Sequence, residues 1–191
     1  MADFFEHQVD EPNWQTQPFA PEQSPRPLFS PLSPEASPDV DIRPATSETT
    51  VRLDFDSLQP FERVERHFQK FGITFKNAIA LQPSNPAFQP MPGKMVLMGS
   101  PKSGWLEAVF DRPVSWVSSS ITGSRRTVMA AFDANNRPIA QAQTAGPNLA
   151  GSSSKLLPNL ELSLLGEGIQ RITLQTFDGQ LTVSEFSFSS L

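Results

Sequence analysis

The run Ile172-Thr173-Leu174-Gln175-Thr176-Phe177-Asp178-Gly179-Gln180-Leu181-Thr182-Val183-Ser184-Glu185-Phe186-Ser187-Phe188 decides how the chain is read. Ile172, Leu174 and Thr176 keep the two-residue period of a strand with one buried face. Asp178-Gly179 is the strongest hairpin signal in the sequence, and residues 180–188 are expected to pair back after it. Leu181 and Val183 share one parity, Phe186 and Phe188 the other. A one-residue bulge near Ser184-Glu185 keeps both pairs on the core side.

Similar runs recur toward the N-terminus at spacings of about ten residues, separated by Gly, Pro, Asn and Asp, which predicts an antiparallel all-β sandwich. Leu53 and Phe55 oppose Arg52, Asp54 and Asp56 in a half-buried strand over 51–56. Ile73, Phe75, Ile79 and Leu81 follow, interrupted by Asn77, and Met95 to Met98 form a short run. Leu106, Ala108 and Phe110 make a strand that Asp111-Arg112-Pro113 should end, and Val114 to Ile121 begin another. Val128 to Phe132 and Pro138 to Thr144 form a hairpin with its second strand at a sheet edge, since Pro138 cannot donate to a ladder. Leu160, Leu162 and Leu164 alternate before Gly166-Glu167-Gly168 turns the chain. Phe61, Val64, Phe68 and Phe71 recur at helical spacing, with Ser57 as cap and Pro60 in the first turn. They predict one short helix, or else a long loop holding the same side chains.

Residues 1–50 differ in kind. They hold nine of the 19 prolines and none of the 10 glycines, and nine acids against Arg26 and Arg43 give a charge of −7; the remainder carries +2. This predicts a disordered acidic arm over 1–50 and a sandwich over 51–191. Phe4, Phe5, Trp14, Phe19 and Phe29 punctuate the arm as aromatic anchors for a protein partner. Four Ser-Pro steps, at Ser24, Ser30, Ser33 and Ser37, are candidate phosphorylation sites.

Composition excludes several chemistries. With no cysteine the chain makes no disulfide, thiolate nucleophile or Cys-ligated zinc site. His7 and His67 are far apart in sequence. A net charge of −5 argues against nucleic acid as a partner. The start carries acids where a secretory signal carries bases, no run has the length of a membrane span, and no Asn-x-Ser/Thr sequon occurs; the expectation is a cytoplasmic protein.

An opening Leu53-Asp54-Phe55-Asp56, then Gly72-Ile73-Thr74-Phe75, a late Gly168-Ile169-Gln170-Arg171-Ile172 and a closing Val183-Ser184-Glu185-Phe186-Ser187-Phe188 resemble bacterial jelly-roll domains related to galactose-binding-like and carbohydrate-binding modules. The resemblance spans about residues 51–191 and implies a jelly-roll-like β-sandwich. It also implies a structural calcium where first and last strands meet, on Asp54 or Asp56 and Glu185. Here Ser184-Glu185 replaces the closing Asp pair of such domains, which lowers the carboxylate count.

Trp105 and Trp116 are the candidate sugar-stacking residues. Trp105 has opposite parity to Leu106, Ala108 and Phe110 and is expected to face outward; Trp116 shares parity with Val114 and is expected nearer the core. Gly99-Ser100-Pro101-Lys102-Ser103-Gly104 lacks the order of a phosphate loop and leads into a strand. Arg125 and Arg126 with Lys102 make a small basic spot, His67 reads as a surface residue, and no G-x-S-x-G elbow is present. No cofactor is implied beyond the calcium. The expected function is a non-catalytic protein-binding or scaffolding module whose arm recruits a partner. The alternative is a carbohydrate-binding module using Trp105 and the loops at 83–93 and 145–154.

Overall fold

The computed structural model describes residues 49–88, 93–99 and 104–190. Nine strands make up more than half of the described residues: β1 Thr49–Arg52, β2 Ile73–Lys76, β3 Ala78–Leu81, β4 Val96–Gly99, β5 Trp105–Gly123, β6 Thr127–Phe132, β7 Pro138–Gln143, β8 Leu160–Thr176 and β9 Leu181–Ser190. The aromatic anchors expected in the arm, Phe4, Phe5, Trp14, Phe19 and Phe29, lie outside the described residues.

All strand pairs are antiparallel, and the hydrogen-bonded order is β3-β4-β9-β5-β8-β6-β7, with β1 also on β9 and β2 also on β5. Two long strands turn this sheet into a sandwich. The first half of β5 pairs with β2 and with the second half of β8; its second half pairs with β9 and with the first half of β8. Between the halves the register shifts twice, around Val114. Strands that switch layers through bulges make the corners of such folds. The back layer is therefore β2-β5-β8-β6-β7 and the front layer β3-β4-β9-β5-β8, with β1 on β9. Rings meet across the gap: Phe75 of β2 with Phe186 of β9 at 5.5 Å, and Phe110 of β5 with Phe188 of β9 at 5.1 Å.

Four expectations change in detail. Asp111-Arg112-Pro113 and Gly166-Glu167-Gly168 do not end strands; they lie inside β5 and β8 at the corners. Asp178-Gly179 joins β8 to β9, but the two do not pair. Both edges of the end of β8 are already taken, with Gln175 opposite Trp105 and Thr176 opposite Thr127, so the turn carries the chain from the back layer to the front. The strand expected over 51–56 stops at Arg52, because Asp54 accepts the Asp56 N–H at 3.0 Å and starts a single 3₁₀ turn over Phe55–Ser57. The helical spacing from Phe61 to Phe71 gives no α-helix, only a 3₁₀ turn at Gln69–Phe71. Backbone groups there bond β3 instead: Phe61 and Val64 donate to Ala80 and Ala78, and Ala80 donates to Glu62. Val64 and Phe68 are buried, while Phe61 is 82% exposed, so the loop reading describes this segment.

The bulge in the last strand is where parity requires it. Ser120 faces Glu185 and Ile121 faces Val183, so Ser184 is passed over in the ladder. Leu181, Val183, Phe186 and Phe188 are all buried as a result.

Candidate functional site

That bulge opens the front layer's outer surface. A solvent-facing cleft of about 540 Å³ lies between the end of β1, the Asp54–Asp56 turn, the approach to β4 and the Ser184-Glu185 bulge. Its polar lining is Arg52, Asp54, Asp56, Lys94, Ser120, Asn159, Ser184 and Glu185.

Local structure fixes each group. Asp54 is held by its capping bond to the Asp56 N–H, and Ser57 Oγ donates to the Asp54 carbonyl at 2.8 Å. Asp56 accepts the Met95 N–H on Oδ1 at 3.3 Å and the Lys94 ammonium on Oδ2. Arg52 donates its Nη2 to Glu185 Oε1 across neighbouring strands. Ser184, displaced by the bulge, donates Oγ to Asn159 Oδ1 at 3.0 Å. Asn159 has a left-handed backbone (φ 56°), and its N–H donates to Thr122 Oγ1 at 2.9 Å. The rear wall is thus a network of hydroxyl and amide groups.

The Lys94 ammonium, with the Met95 N–H, holds the Asp56 carboxyl below its ordinary 3.8. The same hydrogen bond holds Lys94 above its ordinary 10.5.

The expected calcium ligands Asp54, Asp56 and Glu185 do converge on this one cleft. They do not make a calcium cage. A hard cation takes six or more oxygens, yet an ammonium sits on Asp56 and a guanidinium on Glu185. Among the described residues no three Asp, Glu, His or Cys side chains are grouped to hold a metal ion.

The two tryptophans lie on opposite surfaces. Trp105, in the first half of β5, faces outward from the back layer opposite Gln175. Trp116, in the second half, lies opposite Leu165, which is 75% exposed, and stays outside the core that takes Val114 and Val117. The register shift between Val114 and Trp116 reverses the parity that placed Trp116 nearer the core. Trp116, Ser118 and Ser120 are then successive outward residues of β5, and the row covers roughly 13 Å toward the cleft.

The loops expected beside Trp105 meet through the Ala150 N–H and Ala87 carbonyl at 3.0 Å, though residues 89–92 lie outside the described residues. So does Lys102, and Arg125 and Arg126 stand exposed in the turn from β5 to β6. His67 is exposed, with Nδ1 3.3 Å from Glu62 Oε1. Sequence reasoning missed Lys94, Ser120 and Asn159. The parity conflict at Ser184-Glu185 and the resemblance of the first and last strands pointed to this place, and neither says which loops arrive beside it.

Neither a protein-family model nor a curated protein matches the chain. Among solved structures it is similar to an arabinose-bound α-L-arabinofuranosidase, at 11% identity and a TM-score of 0.39, over 71% of this chain and 25% of that one. It is also similar to a family 89 glycoside hydrolase from Clostridium perfringens, at 13% identity and a TM-score of 0.34, over 61% of this chain and 14% of that one. The chain thus spans a quarter or less of the length of either protein.

Proposed function

We propose that this chain is a non-catalytic carbohydrate-binding module whose ligand lies in the cleft beside the β9 bulge. The supporting observation is the convergence there of two hydroxyls, an amide and five charged groups around a cavity of about 540 Å³. Cavities of about 300–1,000 Å³ with a few placed polar groups suit small ligands, and mixed donors and acceptors of both charges suit a hydroxyl-rich one. Trp116 and Leu165 offer apolar area on the same surface for the face of a sugar ring.

Retention of the full chain on immobilised polysaccharides tests this reading. Asn159→Ala and Ser184→Ala should each weaken retention about five- to tenfold, the equivalent of one net hydrogen bond. Trp105→Ala, on the opposite surface, should leave it unchanged. Loss with Trp105→Ala and not with Asn159→Ala moves the site to the back layer.

A second reading is favoured by the charge split between residues 1–50 and the rest: an adaptor whose acidic arm engages a protein through Phe4, Phe5 and Trp14. A chain beginning at Thr49 separates the two, since glycan retention survives that deletion and arm-dependent protein binding does not.

A further inference from the structure

We propose that the chain carries a second ligand site, for an acidic, uronate-type sugar, in the cleft between β1 and the corner of β5. This goes beyond the carbohydrate reading of the cleft beside the β9 bulge and shares no residue with it.

The second cleft has a volume of about 450 Å³, within the range of about 300–1,000 Å³ that suits small ligands. Val51 of β1 and Phe188 of β9 meet it from the front layer, and Val114 from the corner of β5. Phe188 and Val114 are buried and Val51 is half-buried, so the floor is apolar. The rim is polar, with Gln69 and Lys70 on the 3₁₀ turn and Asp111 and Arg112 on the corner. Backbone bonds join the two sides of that rim. Gly72, left-handed at φ 80°, ends the turn by donating its N–H to the Gln69 carbonyl at 2.9 Å, and its own carbonyl accepts the Asp111 N–H at 2.8 Å.

The state of the cations separates this cleft from the first. There, Arg52 and Lys94 are taken up by Glu185 and Asp56. Here, neither Lys70 nor Arg112 forms an ion pair among the described residues, and nor does Asp111. Two cations against one carboxylate leave the rim positive. The Lys70 ammonium lies 4.9 Å from the centroid of the Phe71 ring, a contact that places the charge without neutralising it. Phe71 is 41% exposed and lines the same cleft.

Each feature matches one part of a uronate. Its carboxylate takes Lys70 and the paired donors of Arg112. Its hydroxyls take the Asp111 carboxylate and the Gln69 amide, and the apolar face of its ring has Phe71 to lie against. A neutral sugar leaves both cations unused, and an anion without hydroxyls leaves Asp111 and Gln69 unused.

Titration of the full chain with trigalacturonate, followed by the backbone amide signals in NMR, tests the proposal, with maltotriose as the neutral comparison. Trigalacturonate should shift the amides of Phe71, Gly72 and Asp111 and bind more weakly as NaCl is added, whereas maltotriose should leave them in place. Lys70→Met and Arg112→Met should each weaken binding about fivefold. Arg125→Met, which removes an exposed cation in the turn from β5 to β6, and Asn159→Ala, in the first cleft, should leave it unchanged. Undisturbed amides with trigalacturonate, equal shifts with maltotriose, or an equal loss in Arg125→Met overturns the proposal. Loss of trigalacturonate binding in Asn159→Ala moves the ligand to the first cleft and overturns it as well.

Discussion

On the outer surface of the back layer, Glu107 lies between Lys76, whose Nζ is 2.7 Å from Oε1, and Arg171, whose Nη1 is 3.1 Å from Oε2. Arg171 in turn rests on the Phe132 ring at 4.0 Å. The front layer's cleft uses the same residue types, yet its pairs surround a cavity and remain exposed. In the back layer Glu107 has a side chain only 7% exposed, its oxygens are both engaged, and three neighbouring strands are clamped together. The first arrangement leaves a ligand nothing to bind; the second leaves hydroxyl and amide faces available. What separates them is the backbone. The back-layer ladder runs in regular register through Glu107, so long side chains lie across it. The front layer carries a bulge at Ser184 that turns its neighbours aside.

Glu107→Ala should break the contrast most severely. It strips the carboxylate from Arg171, whose buried Nε already lacks a partner. Removing one member of a largely buried ion pair leaves the other uncompensated, so about 2–4 kcal/mol of stability should be lost. Urea unfolding measures this, and retention on polysaccharide should persist in the folded fraction. Arg171→Met should cost less, about 1–2 kcal/mol, because Lys76 still serves Glu107 and a methionine still covers Phe132. Equal losses in the two variants would mean that packing on Phe132 matters more than charge.

Arg52→Ala probes the other cluster. Its pair with Glu185 is largely exposed, so the stability change should stay under about 1 kcal/mol. Ligand retention should nevertheless fall about fivefold if the guanidinium contacts the sugar.

The smallest effect concerns pH. Asp56 is lowered in the folded state, so its contribution is complete above the unfolded value of 3.8 and is lost as pH falls through the folded one. Lys94 is raised, so its contribution is complete below 10.5 and is lost as pH rises through its folded value. Melting temperature should therefore fall slightly at both extremes, and in Lys94→Met the alkaline fall should vanish.

Period-two alternation made the all-β class legible, and the opposed parities of Val183 and Phe186 placed the bulge within a residue, since both pairs are too apolar to leave outside. The corners were not legible. Pro113 and the Gly166–Gly168 segment carry the same local preferences whether the chain reverses or merely bends, and only tertiary pairing decides between them. The Asp178-Gly179 turn misled in the same way: Asp178 has the left-handed φ of 55° that a tight turn wants, but the pairing edges beyond it were already occupied. The misjudged parity of Trp116 follows from the corner in β5. For the cleft, Asp54, Asp56 and Glu185 were visible through the resemblance of the first and last strands. Lys94 and Asn159 stand in connecting segments with no periodic pattern, and their approach is a product of the fold.

The place of β9 governs the order in which this molecule can assemble. It is flanked by β5 on one edge and by β4 and β1 on the other, and its Phe186 and Phe188 contact rings from the back layer. A ribosome makes it after every other described strand. Until it emerges, β1 has no partner and the front layer lacks its centre, so a nascent chain carries exposed apolar edges up to that point. Folding of the described strands therefore waits on β9, is slow in proportion to the long-range pairings it must close, and depends on that one strand for the whole front layer.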